Sequence, residues 1–332
     1  MEESQEAQLD SQNIAQETPV DDVFIAPSID ERRILSGESY THHSILPATI
    51  AADPSTECVL GVDEAGRGPV LGPMVYAVYY LPITLHHSLL ATTHHFDDSK
   101  ALTPAVRSDL MAQICNPATD LYANCGWATR TMSARDISAD QLRPSGPYNL
   151  NAQAHDVTIQ LIRDVLEAGV NVREIFVDTV GPPATYQAKL ERLFPAQSIT
   201  VAKKADSLYP CVSAASVCAK VTRDAALDVL YTSYDSEGSV AWGSGYPGDA
   251  RCSSWLKANM HPLFGWGSEC RFSWGTAKEM LEARGAPCRV AWPEPDDGTD
   301  GMKLTGFFLG TDEETGDELR DWFGKRATEQ VF

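Results

Sequence analysis

Val59-Leu60-Gly61-Val62-Asp63-Glu64-Ala65-Gly66-Arg67-Gly68-Pro69 reads as a short apolar strand that delivers two adjacent carboxylates into a Gly-Arg-Gly-Pro turn. Successive side chains on a strand point to opposite faces, so Asp63 and Glu64 share one site only where the strand ends and the backbone bends. The glycines allow that bend, and they let the N–H groups of residues 66 to 68 come close to a phosphate or a sugar. Arg67 adds a planar cationic fork. Taken alone, the acidic pair is an ordinary strand end.

Outward from this stretch, Leu71 to Leu81 is a second strand, rich in Val and Tyr, and the tight connection predicts antiparallel pairing with the first. Thr103 caps and Pro104 opens a helix to about Cys115. Leu121 to Thr129 is a third strand, and a short helix begins at Ser133. A long helix from about Tyr148 to Ala168 carries apolar residues at 150, 154, 157, 161 and 165, one buried face, and Gly169 ends it. Glu174 to Asp178 is a fourth strand, Ala184 to Phe194 a helix, and Ser198 to Lys203 a fifth strand. A helix of small residues runs from Tyr209 to about Tyr231, a turn follows at Gly243 to Pro247, and Ser253 to Met260 and Ser273 to Ala283 are helical. This order predicts an α/β domain of five strands with an antiparallel start and a helical C-terminal part.

Charge divides the chain in three. Of 46 acids and 26 bases, residues 1–57 hold 12 and 2, residues 58–288 hold 23 and 19, and residues 289–332 hold 11 and 5. The net charge of −20 argues against a nucleic-acid grip, which needs Lys and Arg, but the body is only −4. We expect residues 1–57 to be an acidic disordered tail, 58–285 the folded body, and 286–332 an acidic extension. No run of eighteen apolar residues appears, and no basic region with an apolar core opens the chain, so neither a membrane span nor a secretory leader is expected. Eight cysteines without a Cys-x-x-Cys pair point to buried thiols in a reducing compartment. His86, His87, His94 and His95 have no Cys or carboxylate at ligand spacing and read as exposed loop residues.

Acids now stand at three strand ends: Asp63 with Glu64, Asp178, and Asp206 just past the fifth strand. If the first and fourth strands are neighbours, these acids converge where open α/β sheets place their sites. Carboxylates crowded together raise one another's pKa, and divalent cations relieve that repulsion. An all-oxygen set favours Mg²⁺ or Mn²⁺, and two such ions about 3.5–4 Å apart suit attack of water on a phosphodiester.

Six motifs in order, Gly61-Val-Asp-Glu-Ala-Gly-Arg-Gly-Pro, Asp98-Ser-Lys, Phe176-Val-Asp-Thr-Val-Gly, Lys204-Ala-Asp-Ser-Leu-Tyr-Pro, Val212-Ser-Ala-Ala-Ser-Val-Cys-Ala-Lys and Gly243-Ser-Gly-Tyr-Pro, resemble type 2 ribonuclease H, most nearly its eukaryotic catalytic subunits. The resemblance covers about residues 58–285. It implies an RNase H-like mixed five-stranded sheet flanked by helices. It also implies two-metal hydrolysis of RNA in RNA–DNA hybrids and cleavage 5′ of single ribonucleotides in duplex DNA, leaving 3′-hydroxyl and 5′-phosphate ends. Asp63, Glu64, Asp178 and Asp206 then hold two Mg²⁺ or Mn²⁺ ions. Gly66, Arg67 and Gly68 surround the ribose 2′-hydroxyl and its phosphate, and Tyr246 stacks on the ribonucleotide sugar. The 2′-hydroxyl is what lets a protein tell RNA from DNA. Further implications are ribonucleotide excision repair, removal of RNA primers, a nuclear location, and a heterotrimer with two non-catalytic subunits.

Other residues carry two readings each. Lys100, Lys203, Lys204 and Lys220 are phosphate contacts or surface ion-pair partners, and Asn149 and Asn151 cap the long helix or touch DNA. Thr179 is a candidate substrate contact, Arg223 and Asp224 read as a structural pair, and Trp242, Trp266 and Trp274 either stack on bases or fill the core. The apolar island Leu304 to Leu309 docks on a partner or covers the body. The alternatives to a nuclease are a scaffold subunit without catalysis, against which all four acids remain acids, and a metal-independent glycosidase, which needs only two.

Overall fold

The structure, a computed structural model, describes residues 24–96, 102–143, 146, 148–179, 181–234 and 242–283. Six strands form one mixed sheet: β1 (Tyr40–His43), β2 (Cys58–Ala65), β3 (Met74–Pro82), β4 (Gly126–Met132), β5 (Val172–Asp178) and β6 (Ser198–Ala202), in the order β1-β4-β3-β2-β5-β6. β2 pairs antiparallel with β3 and parallel with β5, so the first and fourth expected strands are indeed neighbours.

The sixth strand corrects the expected five. Residues 24–57, read as part of a disordered tail, instead supply the short helices α1 (Glu31–Leu35) and α2 (Ala48–Ala52), with β1 between them. β1 pairs antiparallel with β4, Tyr40 opposite Thr131. The Tyr40 hydroxyl donates to the Ser28 carbonyl, and Ser28 bonds Thr222 at 2.8 Å, which ties the segment to the body. The remaining α-helices among the described residues are α3 (Pro104–Cys115), α4 (Asp120–Asn124), α5 (Ala134–Gln141), α6 (Leu150–Glu167), α7 (Pro183–Leu193), α8 (Pro210–Tyr234), α9 (Ala250–Ala258) and α10 (Gly275–Glu282). α4 occupies residues expected to begin the third strand, because Thr119 caps a helical turn there by accepting from the Tyr122 N–H. Residues 1–23, the Asp98-Ser99-Lys100 motif and the extension from 286 lie outside the described residues.

Strand alternation sorts the core into two faces. Leu60 and Val62 of β2 pack with Ile159, Leu161, Ile162 and Val165 of α6 and with Tyr186 and Leu190 of α7. Val59 and Ala65, of the opposite parity, pack with Cys211, Val212, Ala215 and Cys218 of α8. Gly61 is where α8 meets the strand: a Cβ there would lie 2.3 Å from the Cys211 carbonyl carbon and 2.5 Å from the Val212 nitrogen. Only glycine admits backbone on backbone at that distance. The C-terminal helices close a third apolar cluster around Trp242, Trp255 and Trp266, so Trp242 and Trp266 are core residues.

The histidine loop also differs from its reading. His86–Thr93 is a short, wide helical segment, and His86 is buried, its Nε2 accepting from the Cys211 N–H at 3.2 Å. His94 pairs with Asp120 at 2.8 Å.

Candidate active site

Asp63 and Glu64 both lie inside β2, opposite Ala77 and Tyr76 of β3, and the chain bends only after Ala65, at Gly66 with φ +79°. The pair therefore does not share one face. Asp63 has the parity of Val59 and Gly61 and faces α8, where Ser216 and Lys220 act on it. Glu64 faces the α6 and α7 side, and its charge reaches Tyr76 and Tyr186.

The parallel ladder ends with Val62 beside Val177; carried one residue further, its register brings Asp63 towards Asp178, whose charge acts on it. Asp178 Oδ1 accepts from the Ala205 N–H at 2.9 Å, which ties the end of β5 to the 3₁₀ turn Ala205–Ser207 and hence to Asp206. Asp63 and Asp206 are 6% and 3% exposed. Burial, then the neighbouring charge of Asp178, pushes Asp63 up to about 7, with Lys220 and the Ser216 hydroxyl pulling it down and Asp206 adding to the rise. Burial, then Asp63, pushes Glu64 up to about 8, with Arg67 opposing and Asp178 reinforcing. The fold thus brings the four acids within one electrostatic neighbourhood.

As a donor set they suit a hard divalent cation: all oxygen, largely buried and mutually repelling. Among the described residues, however, no three His, Cys, Asp or Glu side chains are gathered around a common point that would hold a metal ion. The opposite parity of Asp63 and Glu64 within a continuing strand accounts for part of that spread.

The turn after the acids is built from behind. Arg271 is fully buried and donates Nη2 to the Gly66 carbonyl at 2.6 Å, Nη1 to the Arg67 carbonyl at 3.0 Å and Nε to the Gly72 carbonyl at 3.0 Å. Trp274 Nε1 donates to the Gly68 carbonyl at 3.0 Å, and the Arg271 guanidinium sits 4.8 Å from the Trp274 ring centroid. Sequence reading missed Arg271 and Ser216, and nothing local marks Arg271, because its partners lie about two hundred residues earlier. Trp274, read as base stacker or core filler, packs half-buried against two of the apolar clusters and in addition donates to this turn.

Of the other expected residues, Arg67 Nη2 donates to Asn151 Oδ1, fastening the turn to the first turn of α6. Asn149 caps that helix by accepting from the Ala152 N–H at 2.9 Å. Tyr246 lies against Gly68, where a Cβ would approach its ring to 3.0 Å. The Gly245 carbonyl accepts from the Val70 N–H at 2.8 Å, so the 243–246 loop is joined to the same segment. Arg223 donates to Asp224 at 3.0 Å and to the Ser244 carbonyl at 2.8 Å, the structural pair expected with a second bond to the tyrosine loop. Thr179 Oγ1 donates to the Gly181 carbonyl at 3.2 Å. Lys203 and Lys204 are exposed, and Lys204 is left-handed at φ 56°. Lys220 stands on the α8 face that meets Asp63.

A mixed sheet with acids on adjoining parallel strands, backed by a long helix of small residues, has solved counterparts among the nucleases with a ribonuclease H fold. The ribonuclease H2 from Pyrococcus horikoshii OT3 superposes with a TM-score of 0.55 at 28% identity, covering 67% of this chain and 96% of that one. Bst-RNase HIII, solved in complex with Mn²⁺, shares the fold at a TM-score of 0.50 and 18% identity, covering 70% of this chain and 72% of its own. The Ribonuclease HII family model matches residues 60–277, so the chain belongs to that family and is a ribonuclease H. It is 56% identical over 314 residues to the A subunit of ribonuclease H2 from Neurospora crassa, covering 93% of this chain and 97% of the relative.

Proposed function

We propose that the chain is the catalytic subunit of a divalent-metal-dependent endonuclease that cuts the RNA strand of RNA–DNA hybrids and cuts 5′ of single ribonucleotides in duplex DNA, leaving 3′-hydroxyl and 5′-phosphate ends. The observation that carries this reading is that Asp63, inside β2, neighbours Asp178 at the end of the parallel strand β5, with the turn of Asp206 bonded to Asp178 through the Ala205 N–H and Glu64 one residue on. Asp63, Glu64, Asp178 and Asp206 would hold two Mg²⁺ or Mn²⁺ ions, which would supply Lewis-acid activation of water and charge stabilisation at the leaving oxygen. The Mn²⁺ in Bst-RNase HIII supports a metal of this class.

The chain's own residues do the rest. Ser216 and Lys220 favour the charged form of Asp63 from the α8 side. Gly66, Arg67 and Gly68 present backbone and guanidinium to the 2′-hydroxyl and its phosphate, with Tyr246 beside Gly68 to stack on the sugar. We take Lys204, Lys220, Asn149 and Thr179 as further substrate contacts, and we assign Lys100 the same role from sequence.

A duplex carrying one ribonucleotide tests the proposal. Cutting 5′ of the ribonucleotide with Mg²⁺ or Mn²⁺, abolished in Asp63→Asn and in Asp178→Asn, is the expected result. Near-normal rates in either variant would remove the metal assignment, and ligation of the product ends reads their chemistry. Subunit naming in the relatives supports assembly with accessory subunits, which we take to be two, contacted through Leu304 to Leu309. Deleting residues 300–332 should then abolish their co-purification. Action in the nucleus, in ribonucleotide excision repair and in primer removal, completes the proposal. Imaging of the tagged full chain tests the first part.

A further inference from the structure

Arg271 is a cation removed from solvent, yet every hydrogen bond it makes goes to a main-chain carbonyl. Burying a guanidinium costs several kcal/mol unless its donors are satisfied and its charge is answered. Here the charge is answered by three carbonyl dipoles and the face of Trp274. Burial, then repulsion from Arg223, lowers its pKa to about 9, so it remains charged at neutral pH. A buried neutral donor would hold one or two carbonyls. Only the forked guanidinium reaches the carbonyls of Gly66, Arg67 and Gly72 together, while Trp274 takes that of Gly68.

Fixing consecutive carbonyls on one side of a turn fixes the direction of its N–H groups. In the segment 66–68 the carbonyls are turned inward onto Arg271 and Trp274, and Tyr246 packs against Gly68. Val70, whose N–H donates to the Gly245 carbonyl at 2.8 Å, joins this segment to the loop that carries Tyr246. The Arg271 N–H also donates to the Val70 carbonyl at 2.8 Å, locking its own position to the segment it orients.

We propose that Arg271, with Trp274, is a positioning residue for ribose recognition: it holds the Gly66-Arg67-Gly68 backbone in the one orientation that reads a 2′-hydroxyl, without touching substrate. This rests on the proposed ribonucleotide specificity of the same site. The consequence is selective. Loss of the clamp should blur the difference between ribose and deoxyribose and leave affinity for DNA as such almost unchanged.

The experiment is equilibrium binding by the full chain, in Ca²⁺, to two duplexes that differ only in one ribonucleotide, for wild type, Arg271→Gln, Arg271→Lys and Trp274→Phe. We expect the ribo-to-deoxy affinity ratio to fall about 10-fold in Arg271→Gln and less in Trp274→Phe, which removes a single donor, with affinity for the all-deoxy duplex within about 2-fold. Arg271→Lys should recover part of the ratio. Unchanged ratios in folded variants would overturn the role of Arg271, as would an equal loss on both duplexes. If Arg271→Gln does not fold, Trp274→Phe, altered at a half-buried position, decides alone. A wild-type protein without any preference for the ribonucleotide duplex would instead overturn the functional reading itself.

Discussion

Gly61 of β2 and Cys211 of α8 stand backbone against backbone, so close that a Cβ on Gly61 would lie 2.3 Å from the Cys211 carbonyl carbon. This contact sets the register of helix on strand. Asp63 is two residues on along the same face of β2, and Ser216 and Lys220 are one and two turns on along α8 from Val212. Gly61→Ala must push the helix away. We expect a loss of about 3 kcal/mol in urea denaturation and a larger loss of activity than of stability, because Ser216 and Lys220 retreat from Asp63.

Asp63→Asn should be inactive and yet more stable. The folded-state pKa of Asp63 is raised to about 7, so between about pH 4 and 7 the native protein holds a proton that the unfolded chain has released. Stability of the metal-free protein therefore falls as pH rises through that window. The amide removes the effect: above pH 7 the variant should melt several degrees higher than its parent, and saturating Mg²⁺ should narrow the gap. Equal melting temperatures at pH 8 without metal would refute this.

His86 acts in the opposite sense. Burial, then the neighbouring His87, depresses its pKa to about 4, so between about pH 6.5 and 4 the unfolded chain takes up a proton that the native protein refuses. Stability is lost as pH falls through that window, by up to about 3 kcal/mol. His86→Gln keeps an acceptor for the Cys211 N–H and cannot titrate, so its melting temperature between pH 6.5 and 4 should decline less steeply than that of the parent.

Lys204 holds φ 56° on the turn that carries Asp206. A lysine pays about 1 kcal/mol for that conformation, which asparagine tolerates better. Lys204→Asn should keep or raise the melting temperature while weakening substrate binding in a salt-dependent way. Unchanged binding would make the lysine a structural accident of the turn.

The periodic parts of the fold were legible. Apolar spacing in α6, the Thr103-Pro104 and Ser133 starts, and the acid at the end of β5 all follow from local chemistry and appear as expected. β1 was not, since Tyr40-Thr41-His42-His43 has no apolar alternation and its partner strand lies some ninety residues away. His86 looked like a loop histidine because its burial depends on α8, far along the chain. The four acids were visible as types; that Asp63 and Glu64 lie inside the strand and face opposite sides is set by how far the β2–β3 ladder runs, which no residue in the turn declares.

β1 has a bearing on how the molecule can be handled. It occupies the outer rim of β4, whose N–H and C=O groups would otherwise meet solvent as an unprotected border. A shortened version begun at Cys58, where the recognisable motifs start, would strip that border bare and remove the Tyr40–Ser28–Thr222 fastening with it. Such a fragment should retain its acids and clump in solution, whereas one begun near Phe24 should stay dispersed.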